Sequence, residues 1–230
     1  RSVEVAGELH ADQLNIVTGQ QTVNSNTLET SNVTTDGNKP SFAIDSTALG
    51  GMYANRIRLI ANEDGVGVKL DAPVAAQNGD LVLSAEGALS FGDASAKGNM
   101  QVASASSVST TGSVVAGGML EVDAKVLNVE AGNVGADVVS IRVDESSLAS
   151  GASMTGDSGI IVHAEQGVVN QGEMLAGGQI AVTTKDFTNT GTVAGQGNVN
   201  ISATDHLVNS GQLDAIDNLE ITTASLNNTS

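Results

Sequence analysis

From the middle of the chain onward six glycines stand at Gly112, Gly132, Gly151, Gly172, Gly191 and Gly211, so successive copies lie 20, 19, 21, 19 and 20 residues apart. A unit of about twenty residues buries too little apolar surface to fold alone, and a chain built from such units must stack them. This constraint is stronger than any single motif in the sequence.

The content of the unit repeats with its spacing. Two residues after the glycine comes an apolar position, as Val114, Val134, Met174, Val193 and Leu213, and two further on a small one, as Ala116, Ala136, Ala176, Gly195 and Ala215. An alternating pair follows: Leu120/Val122, Val139/Ile141, Ile180/Val182, Val199/Ile201 and Leu219/Ile221. Ahead of the glycine stand Val108, Val168, Phe187 and Leu207, the last three followed two residues later by Asn170, Asn189 and Asn209, and Leu226 and Asn228 open a further copy. Alternation with period two, broken by Gly, Asn, Asp and Ser, marks short strands and excludes heptads and helical-pair repeats. The fold class expected is therefore all-β, a right-handed parallel β-helix or solenoid with three short strands per coil and about 20 residues per coil. At about 4.8 Å per coil the whole chain would form roughly 11 coils and a rod on the order of 50 Å long.

Composition agrees with a narrow stacked core. Of 230 residues, 40% are hydrophobic but only 2% aromatic, and Trp is absent, which suits columns of Val, Ile, Leu and Ala. With 27 Gly and only 2 Pro, turns are plentiful and strand pairing is seldom blocked. The corner glycines are expected to supply positive φ. The recurring Asn has two readings, an amide ladder between coils or a residue that tolerates a left-handed turn. Earlier segments keep the rhythm more loosely, with Leu9, Ala11, Leu14 and Ile16 at the same offsets as Met52, Ala54, Ile57 and Leu59. Between them, residues 20–40 are polar and broken, and read as an excursion from the coil, a β-hairpin or loop.

Charge narrows the partners. The net charge of −17 and the absence of any Lys/Arg cluster argue against nucleic acid, and no apolar run approaches the length of about 20 residues that a membrane helix needs. Cysteine is absent, so neither disulfides nor thiolate metal sites support the fold.

One segment is more diagnostic than the repeats. In residues 43–74, "AIDSTALGGMYANRIRLIANEDGVGVKLDAPV", the residues Ala48, Leu49, Gly50, Gly51, Met52, Tyr53 and Ala54, then Ile57, Leu59, Glu63, Gly65, Val66, Gly67 and Val68, resemble the stretch that closes the secretion domain of two-partner-secretion exoproteins. That family includes the filamentous haemagglutinins and the contact-dependent growth inhibition proteins. "LHADQLNIVTG", Leu9 to Gly19, is similar to a second stretch of the same domain. The resemblance covers the first third of the chain, and the remainder matches only the family's degenerate repeats. It implies that residues 1–73 are the C-terminal part of the two-partner secretion (haemagglutination activity) domain and residues 74–230 the start of the filament repeats. The family's amino-terminal Asn-Pro-rich motif and its toxin-like tail have no counterpart, so an internal piece of a longer precursor is expected. The partners implied are an outer-membrane transporter, and a target-cell receptor or host surface reached through parts outside this stretch. The implied location is outside the cell or on its surface.

No catalytic, cofactor-binding or metal-binding residue is assigned from the sequence. His10, His163 and His206 are far apart and lack metal-ligand spacing, so each reads as an isolated surface or turn residue. No serine stands in a G-x-S-x-G elbow, and the glycines do not form a phosphate cradle. The acidic pairs Glu63/Asp64 and Asp144/Glu145 are the nearest approach to glycosidase chemistry, but neighbouring strand residues face opposite sides and no aromatic sugar platform accompanies them. The repeats "GGMLEV" and "GGQIAV" carry an apolar residue where a calcium solenoid needs Asp. The expected function is structural: a rigid filament segment of an adhesin or growth-inhibition exoprotein, without enzymatic activity. The alternative is a polysaccharide-binding or polysaccharide-cleaving β-helix, which would need a carboxylate-lined groove on one face.

Overall fold

The computed structural model describes residues 2–19, 21–24, 30–32 and 38–229. Among them there is no helix, and 22 strands join one continuous parallel sheet that coils on itself. Each coil carries a long strand and two short ones, as in Met119–Asp123, Val126–Val129 and the turn back through Val114–Ala116. Where the corners flatten, the three merge into long bent strands such as Asn133–Leu148 and Ser153–Asn170.

The coils stack in the register that the repeat implies. Leu120 pairs with Met100 below and Val139 above, Ile160 with Val139 and Ile180, and Val199 with Ile180 and Leu219. Because the side-chain period is two, every second residue of a strand enters the tube, and equal positions of successive coils touch. The interior is accordingly a set of aliphatic columns, with Ile57, Leu81, Leu120, Val139, Ile160, Ile180 and Ile201 all essentially without solvent contact.

The early strands obey the same rule. Leu9, Ala11, Leu14 and Ile16 pair with Met52, Ala54, Ile57 and Leu59. These partners are 43 residues apart, twice the usual step, so about one coil's length of extra sequence lies between them. Part of the excursion expected at residues 20–40 is the antiparallel pairing of Gln21–Val23 with Thr30–Asn32, which forms a separate two-stranded sheet. Residues 20, 25–29 and 33–37 of that expected excursion lie outside the described residues. The solenoid therefore has about 9 turns rather than the roughly 11 that dividing length by period suggests.

The corner glycines are explained differently from the expectation. Gly132 and Gly151 have positive φ, 79° and 83°, but Gly112, Gly172, Gly191 and Gly211 do not. Five of the six, all but Gly151, share crowding by the coil beneath. A Cβ on Gly191 would lie 2.0 Å from the Gly172 carbonyl oxygen, one on Gly211 2.1 Å from that of Gly191, and one on Gly172 2.2 Å from that of Ala152. The stacking distance of a parallel sheet leaves no room for a side chain where the chain turns across its lower neighbour.

Corners are also stitched by acidic and amide side chains. Asp80 Oδ1 accepts the Asn99 backbone N–H at 2.9 Å, Asn99 Oδ1 accepts that of Met119 at 2.9 Å, and Asp93 Oδ1 accepts that of Ser113 at 2.8 Å. Part of the acidic excess thus satisfies backbone donors that the sheet leaves open at a turn.

Gly191→Ala is expected to destabilise the solenoid by about 1–3 kcal/mol, since two coils must part to admit the methyl group. Gly167→Ala should be nearly neutral, because its Cβ would meet only the Asp186 carbonyl oxygen at an ordinary 3.6 Å. Thermal melts followed by the β-sheet circular dichroism signal would separate the two. Ile201→Asp places an unpaired carboxylate in the tube and is expected to lower stability by several kcal/mol in the same assay.

Candidate functional site

The three histidines are exposed, but two of them are not isolated. His10 stacks on Tyr53 of the next coil with ring centroids 5.1 Å apart, and its Nε2 lies 3.1 Å from Glu8 Oε2. His163 stands outward between Arg142 and Thr183. His206 Nδ1 lies 2.8 Å from Asp186 Oδ1, and Asp205 completes a group whose ligand atoms all fall within 4.8 Å of one another. These residues come together because Asp186 and His206 occupy the same position of consecutive coils. The signal that finds them is therefore the repeat period; local ligand spacing is blind to it.

Two carboxylates and an imidazole form a donor set of the kind that suits a divalent transition metal. Here, however, Lys185 Nζ stands 3.7 Å from Asp205 Oδ2, and the side chains of Asp186 and His206 are 47% and 65% exposed. Water screens every charge in the group, and the lysine already compensates one carboxylate. It is described as a surface ion-pair network.

The acidic pairs separate. Glu63 is buried and its carbonyl oxygen accepts the Val66 N–H, whereas Asp64 is exposed and pairs with Lys39. Asp144 and Glu145 sit at a register irregularity where both backbone N–H groups donate to the Lys125 carbonyl oxygen. Strict alternation fails there, and neither side chain is buried, contrary to the opposite-face expectation. Glu145 and Asp186 flank Gly167 in one shallow outer groove of about 410 Å³, floored by Asn128, Ser147 and Val169. Among the described residues one titratable group departs clearly from its ordinary value: hydrogen bonding to the Asp71 carboxylate raises the partly exposed Lys69 ammonium.

Residues 1–91 match the family model of the TPS secretion domain. The chain belongs to the two-partner-secretion exoprotein family. Among its curated relatives is the tRNA nuclease CdiA-2 of Burkholderia pseudomallei, 45% identical over 89 residues, which is 39% of this chain and 3% of the relative. The 16S rRNA endonuclease CdiA of Enterobacter cloacae is 38% identical over 138 residues, 60% of this chain and 4% of that protein. The tRNA nuclease CdiA of Yersinia mollaretii is 32% identical over 177 residues, 77% of this chain and 5% of that protein. The chain spans only 3 to 5% of the length of these relatives. No solved structure matches it.

Within this family member the matched segment 1–91 and the later repeats form one uninterrupted stack. Met52–Ala61 pairs with Leu81–Ala85, which pairs with Met100–Ser104, and the pattern continues to Leu219–Asn228. No helix of the described residues is long and apolar enough to cross a membrane.

If the His206 group is only a surface network, His206→Ala is expected to change stability by less than about 1 kcal/mol at physiological salt. Thermal melts at low and high ionic strength check this, with any small difference vanishing in high salt.

Proposed function

We propose that this chain is a filament segment of a large secreted exoprotein, joining the end of an export domain to a rod that carries distal parts away from the cell. Residues 1–73 serve export through an outer-membrane partner transporter, and residues 74–230 extend the filament. The observation that carries this reading is the continuous stack of near-equivalent coils running out of a secretion-domain match. The role needs stiffness and length, and the columns of aliphatic side chains with coil-to-coil hydrogen bonds supply both. It involves no turnover of substrate.

The physical chemistry of export favours the same design. A chain that crosses a membrane unfolded must fold afterwards without help from thiol chemistry, and this one has no cysteine. Each coil that emerges finds a template of paired N–H and C=O groups and buries its aliphatic positions on contact, so stacking proceeds downhill one coil at a time.

Secretion by cells that carry the full precursor, with and without its outer-membrane transporter, tests the proposal. Deleting residues 1–91 is expected to abolish transporter-dependent release into the medium. Deleting residues 133–211, whole coils of the later stack, should leave release intact and shorten the rod by about 19 Å, at about 4.8 Å for each of the coils removed. Release that persists without residues 1–91, or that fails without the later coils alone, would overturn this division of roles. Saturable binding of an oligosaccharide to the outer groove, with Glu145→Gln abolishing it, would favour the polysaccharide reading instead.

A further inference from the structure

The buried amides of the last coils form one directed chain. Asn170 Nδ2 donates to Asn189 Oδ1 at 2.7 Å, Asn189 Nδ2 to Asn209 Oδ1 at 2.8 Å, and Asn209 Nδ2 to Asn228 Oδ1 at 2.7 Å. Asn170, Asn189 and Asn209 are almost completely buried. Asn170 and Asn189 also reach forward to the next coil's backbone, Asn170 Nδ2 to the Thr192 carbonyl oxygen at 3.0 Å and Asn189 Nδ2 to that of Gln212 at 3.1 Å, while Asn209 Nδ2 donates to the Gly211 carbonyl oxygen at 3.2 Å. The chain of amides has a definite foot. In the same column the preceding coils place Phe91, Thr110, Val129 and Leu148, so Leu148 meets Asn170 and can donate nothing. Asn170 Oδ1 is correspondingly the one buried side-chain polar atom without a hydrogen-bond partner among the described residues.

A buried amide next to an aliphatic column must do something that an aliphatic could not. Hydrophobic patterning detects a slip of one residue between strands, since that turns the inward set outward, but it does not detect a slip of two. Next to the amides runs a second inward column, Val168, Phe187, Leu207 and Leu226. A two-residue slip would set Asn189 against Leu207, or Asn209 against Phe187, and strand an amide in a dry interior. In the earlier coils the corresponding pairs Leu89/Phe91 and Leu127/Val129 are apolar at both positions, and Val108/Thr110 and Ser146/Leu148 carry one short hydroxyl and no amide, so the exchange strands no amide there.

We propose that the Asn170–Asn189–Asn209–Asn228 ladder is a register lock, a polar column that forbids two-residue slippage between coils whose sequences are otherwise too similar to tell their alignments apart. Single buried polar residues fix register in coiled coils by the same physics. The ladder also grows in one direction only. Every coil presents an amide donor to the coil that follows, so an incoming strand is read for its Asn as it docks, and the open acceptor lies at the N-terminal foot where reading begins.

Engineered cysteine pairs report register without interference, because the chain has none of its own. Thr188 and Val208 face each other across adjacent strands, at about 4.8 Å and within disulfide reach. Thr188 and His206 are offset by two residues and stand roughly 8 Å apart, beyond the usual limit. Asp186 and Val208 report a slip of the opposite sense in the same way. Each pair would be refolded from denaturant under a glutathione redox buffer, in the native ladder and in the variant Asn170→Val/Asn189→Val/Asn209→Val. The native ladder should crosslink through Thr188→Cys/Val208→Cys alone, and the ladder-free chain should raise crosslinking of an offset pair at least tenfold. Offset crosslinking that stays at the native level in a folded ladder-free chain overturns the proposal.

Should the triple variant not fold, the foot of the ladder decides. Leu148→Asn supplies the donor that Asn170 Oδ1 lacks, whereas Leu120→Asn makes the same change between Met100 and Val139 with no polar partner. Leu120→Asn should lower the melting temperature by more than about 5 °C, and Leu148→Asn by less than half as much. Equal losses would mean that the column does not recognise amides, and the lock would be rejected.

Discussion

Everything in this molecule depends on one distance, the separation of about 4.8 Å between parallel strands of successive coils. It is short enough that equal positions of neighbouring coils touch, so each position of the repeat becomes a column and each column must be filled by side chains that stack on themselves. It is also short enough to forbid a Cβ where the chain crosses the coil beneath, which is why the array announces itself through glycine. Hydrogen bonds along the stack and aliphatic burial inside it are two results of the same spacing.

Columns divide the labour of the residues. Aliphatic columns exclude water, the amide column couples coils through hydrogen bonds, and the corner carboxylates and amides of Asp80, Asn99 and Asp93 take up backbone donors left open by the turns. The acidic surface is therefore partly structural, and the remaining charge keeps a long repetitive rod from associating side by side with its own kind. The exposed network at Asp186, Asp205 and His206 has the same origin, since residues one period apart are brought together whether or not they serve chemistry.

Such a design suits a protein whose work is done by geometry. Among the described residues the groove beside Gly167 is a shallow strip on the outer face of the stack. What the stack has in abundance is extension, added one coil at a time with little change in local environment. Residues 1–91 match a secretion domain, and the coil stack continues beyond them in the same parallel sheet.

The sequence by itself determined the fold class and the coil length, because a fixed period and alternation leave few arrangements that bury the repeated aliphatic positions, and the stretch at residues 43–74 carried the family. The Ile57, Leu59 and Met52 offsets could be aligned with Leu14, Ile16 and Leu9 from the text alone, and the stack pairs them so. Only the tertiary structure decided between the two roles of asparagine, since a residue between strand and turn can face either way until its neighbours along the column are known. The stack likewise decided why glycine stands at the corners, how residues 20–40 reduce the number of turns, and that His206 meets Asp186. All four depend on what lies one coil away, and a linear sequence keeps that neighbour about twenty residues out of sight.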